Sequence, residues 1–212
     1  MPVSLDLLIP DVAIEAIGAP DFLVRNAVRD AAVDLCRRTH LWNEVQAPQP
    51  YTAGQAAYTL AAPAGATIIS VLGITADDER PLAPTTVPLL TAMMPDWQVK
   101  SGRVLYFTQG LMPGDIRFVR VPEADGTFAA HAVYAPAPDA TDIPDTLITH
   151  HRETLINGAL GRVLMMNSKP WSNTASAQYN LTRFFAGVNR ARIDANKHNS
   201  AADLRVTPRH FV

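Results

Sequence analysis

Cysteine is nearly absent: Cys36 stands alone in 212 residues. No intrachain disulfide can form, which fits a reducing compartment. A dominant charge sign is missing too, with a formal net charge of −2 and a pI of about 6.3. Dedicated nucleic-acid binders carry a strong basic excess, so this balance argues against tight DNA binding by the body of the protein. Long apolar runs are lacking as well. No residue from Val45 to Ala76 is charged, but proline, glycine, glutamine and threonine interrupt that stretch. Its longest apolar segment falls short of the roughly 20 residues that cross a bilayer, so it reads as loop plus strand. The opening "MPVSLDLLIPD" has no basic start followed by an apolar run, and no signal peptide is expected. Fixed-period repeats, low-complexity segments, a Walker-type phosphate loop, a Gly-x-Gly-x-x-Gly fingerprint and a nucleophile elbow are likewise missing.

What is present is a hydrophobic content of 48%, enough for a packed core, and three stretches of helical periodicity. Val24, Ala27, Val28, Ala31, Leu35 and Cys36 follow three-and-four spacing. Pro20 and Asp21 suit the first turn of that helix, which is expected from about Pro20 to Leu41. "DTLITHHRETLINGALGRVL", residues 145 to 164, places Ile148, Leu155, Ala159 and Val163 on one face, with Met166 beyond. Leu164 points to the back. Gly158 and Gly161 share a third side; each costs a helix interior about 1 kcal/mol relative to alanine, which a close neighbour would offset. After "NSKPWSN", where Pro170 forbids continuation and Ser172 or Asn173 can cap, Ala177, Leu181, Phe184, Val188, Ala191 and Ala195 mark a third helix. Two long helices with a short connection imply an antiparallel pair.

Residues 45–140 differ in kind. They are proline-rich and carry the strand-like runs "ATIISVLGIT", "RVLYFT", "DIRFVRV" and "TFAAHAVY". An Asp-Gly pair in "EADGTF" predicts a hairpin between the last two. "VPLLTAMM" reads as a short helix stopped by Pro95. The fold class is therefore α+β. A helical platform is formed by 1–44, an N-terminal segment and first helix, and by 141–198, an antiparallel helix pair. A small antiparallel β module over 45–140 is inserted into it, and 199–212 form an extended arm.

The polar candidates are few. Two adjacent helical histidines, His150 and His151, point about 100° apart, whereas a shared metal prefers positions four apart on one face. Glu153 falls on another side from His151. Surface or interface histidines are the plainer reading, and a cleft acid–base site the rival. Cys36 lies on an apolar stripe and reads as a small buried hydrophobe. The acidic run Asp77-Asp78-Glu79 is a solvated turn or part of a metal site lacking further ligands nearby. Arg152 either snorkels past the core edge or makes an ion pair across a subunit contact. In the arm, Arg205 and Arg209 against Asp203 leave a side-chain sum of +1, with His210 neutral. Val206 and Phe211 add apolar anchors. The segment is either a frayed tail or a docking element that orders on a partner.

Several stretches resemble the head–tail adaptor proteins of tailed bacteriophages, also called head-completion or connector proteins. "IGAPDFLVRNAVRDAAVDLCRRTHLWNE" is similar to the family's opening: an Ala-Pro, an alanine-rich helix, and Cys-Arg-x-Thr near a tryptophan. "IPDTLITHHRETLINGALGRVLMMNSKPWSN" resembles its Ile-Pro-Asp, its helix with Gly-Ala-Leu and its Pro-Trp. "AQYNLTRFFAGVNRARIDA" resembles the final helix, and "YFTQGLMPGDIRFVRVPEAD" matches more loosely. The histidine pair departs from the polar or aromatic residue found at that place in the family.

The resemblance implies a structural virion protein: a ring, typically twelvefold, beneath the portal, which joins the DNA-filled head to the tail and extends the DNA channel. The implied partners are the portal protein, tail or nozzle proteins, further copies of the chain, and genomic DNA that passes without specific binding; no membrane is involved. Assembly would take place in the host cytoplasm, and the mature location would be the virion neck. A slightly acidic body suits a channel, since each phosphate contact adds salt-sensitive affinity. Asp203, Leu204, Arg205, Val206, Arg209, His210 and Phe211 are the expected portal-binding residues. His151, Arg152, Leu164 and Trp171 are the expected subunit contacts. No catalytic, cofactor-binding or metal-ligating residue is nominated. The alternatives are another neck or tail-tube component, or a soluble enzyme using His150 and His151.

Overall fold

Helices and strands are both present, in an α+β fold. The computed structural model describes residues 2–77 and 80–196. The first half of the chain forms β1 (Pro2–Ser4), a 3-10 turn (Leu5–Leu8), α1 (Ile9–Glu15), α2 (Asp21–Thr39), β2 (Asn43–Val45), β3 (Gln49–Tyr51), β4 (Ala57–Thr59), β5 (Ala66–Ala76), β6 (Arg80–Pro84) and α3 (Val87–Met93). The second half forms β7 (Tyr106–Gln109), β8 (Asp115–Val119), β9 (Gly126–Pro136), β10 (Asp142–Pro144), α4 (Asp145–Leu164) and α5 (Thr174–Asn196). The chain divides into a helical unit, Met1–Leu41 with Thr141–Val212, and a β unit, Trp42–Ala140.

In the helical unit the apolar stripe of α2 is buried as its spacing requires: Val24, Ala27, Val28, Ala31, Leu35 and Cys36 all face inward. The helix ends where His40 turns to φ 55° and donates its amide to the Cys36 carbonyl at 2.9 Å. α5 buries Ala177, Phe184, Val188 and Ala191. Asn173 caps it, its side-chain oxygen accepting from the Ser176 amide at 3.1 Å. α4 packs against α1, α2 and α5. Its buried residues, Leu147, Leu155, Leu160, Val163 and Leu164 among them, do not form one narrow stripe.

The neighbours expected at the α4 glycines are there. A Cβ built on Gly158 would lie 2.7 Å from Phe184 Cδ2 and 2.8 Å from Ala31 Cβ, and one on Gly161 would lie 2.6 Å from Leu181 Cγ. As the α4 number falls from 161 to 158 the α5 number rises from 181 to 184, so the two helices run antiparallel. β1 pairs with β10, Val3 opposite Ile143, and so ties the chain start to the residues before α4.

Ion pairs staple the unit. Arg25 donates to both Asp6 oxygens, at 2.5 and 3.0 Å. Arg162 pairs with Asp34, donates to the Gly158 carbonyl at 2.7 Å and lies over the Phe184 ring. Such solvent-screened pairs contribute little to stability, so the buried apolar contacts carry the unit.

The β unit is a sheet in the order β2-β9-β5-β6-β7-β8-β4, with β3 also on β9. Its long central pair, β5 and β9, is antiparallel with register shifts at Ile68/Ser70 and Val71/Gly73. One pairing departs from the antiparallel rule: β6 runs parallel to β7, because α3 carries the chain back between them. Phe118 is the centre of the aromatic core, with ring centroids 5.3 Å from Phe128 and 5.5 Å from Tyr51.

The hairpin predicted at Asp125-Gly126 does not form. β8 is held by β7 and β4, while β9 is held by β5, β2 and β3. Both partners' edges are taken by more distant segments, which overrides the local turn signal. Asp125 instead accepts from the Ala53 amide at 2.7 Å. Of the acidic run, Asp77 accepts from the Tyr51 hydroxyl and from the Thr127 amide at 3.0 Å. Burial and then that carboxylate push the Tyr51 hydroxyl up to about 12. Asp78 and Glu79 lie outside the described residues.

Candidate functional site

A concave feature of the helical unit lies along α4 and α5. It is a cleft of about 440 Å³ bordered by His150, His151, Glu153, Asn157, Arg183 and Asp194, among others. The backbone explains why both histidines border it. His151 sits at φ −128°, ψ 20°, outside helical values, so α4 is kinked there. The 100° step assumed for a straight helix fails at that residue, and the two rings stand 6.4 Å apart, centroid to centroid.

Glu153 is directed to Arg183 and not to His151. Arg183 also donates to the Tyr179 hydroxyl at 3.0 Å. That hydroxyl first, and Glu153 next, push the Arg183 pKa up. Among the described residues no group of three or more His, Cys, Asp or Glu side chains is placed to hold a metal ion.

His151 is half-buried, and its pKa is lowered, chiefly by burial and then by the charge of His150, with Asp194 pulling the other way. A lowered folded value means that the unfolded chain takes up its proton first. Stability from this group is therefore intact above the ordinary value of about 6.5 and is lost as pH falls toward the folded value. Urea midpoints measured from pH 7.5 down to 5 should fall, and His151→Gln should flatten that fall. An identical pH slope in the variant would contradict the assignment.

The predicted subunit contacts fare differently from one another. Leu164 is only 2% exposed; the packing of α4 on three helices draws it into the core of its own unit, so it offers no surface to a neighbour. Arg152 makes an ion pair with Asp11 of the same chain at 2.6 Å. Trp171 is half-buried in the connection between α4 and α5, and its indole nitrogen finds no acceptor among the described residues. The arm residues Asp203, Leu204, Arg205, Val206, Arg209, His210 and Phe211 lie outside the described residues.

Sequence reasoning passed over the exposed apolar side chains. In the helical unit these include Ile14, Phe22 and Ile17, the last 77% exposed. In the β unit Leu111 and Met112 stand out from a turn. The available signal was composition: turns favour Gly, Pro, Asn, Asp and Ser, and "QGLMPGD" puts two large apolar residues in one. Contiguous exposed apolar groups mark interaction surfaces, whereas single exposed apolar side chains are ordinary.

The fold is α+β, with salt-bridged helices and large apolar side chains turned outward in both units. The comparison with protein families gives the particular: the chain belongs to the SU10 adaptor protein family, whose model it matches over residues 4–208. That is a family of phage structural adaptors rather than of enzymes, so the chain is a virion component that contacts other head or tail proteins. No curated protein matches it. Among the described residues no helix is long and apolar enough to cross a membrane.

Proposed function

We propose that this adaptor forms a closed ring, twelvefold, beneath the portal, where it joins the head to the tail and extends the DNA channel. The observation that carries the reading is the family match from residue 4 to residue 208, which takes in both units and most of the arm. Two physical features support it. Large apolar side chains are exposed in both units, as a protein held between neighbours requires. The net charge of −2 gives passing DNA little to hold.

In this reading residues 199–212 are the portal-binding arm, with Arg205, Arg209 and Phe211 as anchors. His151 and Trp171, both half-buried, stand as candidate contacts between copies. The domain roles follow: 1–44 and 141–198 form the platform of the ring and 45–140 its inserted module. Genomic DNA passes through the lumen, and tail or nozzle proteins dock on the far side. A neck component working below the adaptor position is the rival. Mixing with purified portal separates the two: an adaptor forms a complex with portal alone, whereas a lower neck protein requires a further component first.

A further inference from the structure

The β unit exposes an apolar projection and, apart from it, an apolar groove. The projection is the turn between β7 and β8, in which Leu111 is wholly exposed and Met112 is 67% exposed. The turn is held by its own backbone, the Gly110 amide donating to the Asp115 carbonyl at 2.8 Å and the Asp115 amide to the Met112 carbonyl at 3.1 Å. Pro113 stiffens it further. The two side chains are therefore presented on a fixed support rather than on a loose loop.

The groove lies between α3 and the other end of the same hairpin. Leu89, Leu90 and Met93 of α3 form one wall, and Leu105 and Tyr106 the other, around about 420 Å³. That volume falls within the range of roughly 300–1,000 Å³ in which pockets bury small ligands, ample for two side chains. Met93 is 70% exposed, so the wall is open to solvent. The floor is sealed by the packed cluster of Leu90, Trp97 and Val119.

Charge is complementary as well. The only charged residues bordering the groove are Arg103 and Arg120, and neither has an ion-pair partner among the described residues. The only charged residue from Gln109 to Asp115 is Asp115. Of its carboxylate oxygens, Oδ1 accepts from Thr59 at 2.8 Å, and Oδ2 has no partner among the described residues.

Projection and groove sit at opposite ends of one hairpin. Tyr106 pairs with Val119 at the groove end and Gln109 with Ile116 at the tip. Three residue steps at about 3.3 Å separate these ends, so the tip cannot reach its own groove. We propose that Leu111 and Met112 of one copy seat in the α3–β7 groove of the next copy. The contact joins two different surfaces. Repeated about an axis, such a heterologous contact closes into a ring when its rotation is a whole fraction of a turn. The inference rests on the ring reading above and names the surfaces that build it.

Cross-linking tests it on the full chain. Cys36 is buried and its thiol is pushed up to about 12 by burial, so it leaves a silent background. A mixture of Leu111→Cys and Met93→Cys proteins, oxidised after assembly, should give a two-chain species that neither protein gives alone. A variant carrying both should give a ladder of multimers. Leu111→Lys with Met112→Lys removes the apolar tip and sets like charge against Arg103 and Arg120. It should raise the assembly midpoint at least tenfold with an unchanged far-ultraviolet spectrum. Oligomers of full mass without the mixed cross-link, or a lysine variant that assembles normally, overturn the seating and leave the ring standing. Chains that stay at monomer mass, with and without portal, overturn the ring and the seating together.

Discussion

Gly158→Leu should lower the melting temperature by roughly 4–8 °C, the shift expected for a net loss of about 2 kcal/mol in a chain of this size. The first added carbon would already meet Phe184 at 2.7 Å and Ala31 at 2.8 Å, closer than real Cβ atoms approach. Ala31 has no rotamer to change, and Phe184 is fully buried. Relief would have to come from moving α2 or α5 away from α4. Overpacking of this kind costs about 1–3 kcal/mol and occasionally more, and leucine adds three carbons beyond the first. Helix propensity acts in the opposite direction by about 1 kcal/mol, since glycine is a poor helix former. The packing should win. A melting temperature at or above the parent's would mean that α4 is not pressed against α2 and α5 as described.

Deleting residues 199–212 should weaken portal binding at least about a hundredfold, the loss expected when aromatic and arginine hot spots are removed together. The segment combines Phe211 and Val206 with Arg205 and Arg209, and its side-chain charge is +1 against a chain of −2. An aromatic anchor flanked by guanidinium groups suits a pocket with an acidic rim, and rim charges act mainly on the association rate. The salt dependence of portal binding should therefore shrink in Arg205→Ala/Arg209→Ala, while Phe211→Ala should speed dissociation. The packing described for α5 ends by Asn196, so circular dichroism of the truncated chain should match the parent's. Retained portal affinity after the deletion would remove the arm from the account.

The parts legible in the sequence are those that carry one clear apolar stripe. In α5 the steps of four and three from Ala177 to Ala191 give the buried face directly. α2 carries a like stripe, although it packs on α1, α4 and α5. α4 does not, since its buried residues run round much of the helix. Leu164 therefore looked like a back-side contact when it is core, and the kink at His151 broke the wheel used to separate the two histidines. α1 has seven residues, too few turns for a period to show. The Asp125-Gly126 signal is a real turn chemistry, but pairing in a sheet is settled by partners far along the chain, here β5 for β9 and β4 for β8.

Site legibility follows the same division. The single buried thiol and the scarcity of ligand-type residues could be read from composition. Arg152 could be read as a pairing residue, though its partner Asp11 lies 141 positions away, beyond any local pattern. The apolar tip at Leu111 was visible as two large side chains in a Gly-Pro turn. Its groove was not, because α3 and the hairpin base meet only in the folded unit.

The central claim is that this chain is a connector placed between head and tail. Imaging the neck of the purified virion and tracing the chain in it tests that claim most directly. The account predicts a closed ring of copies coaxial with the portal, in contact with it on one side and with tail proteins on the other. A neck built without this polypeptide, or the polypeptide found elsewhere in the particle, would contradict it.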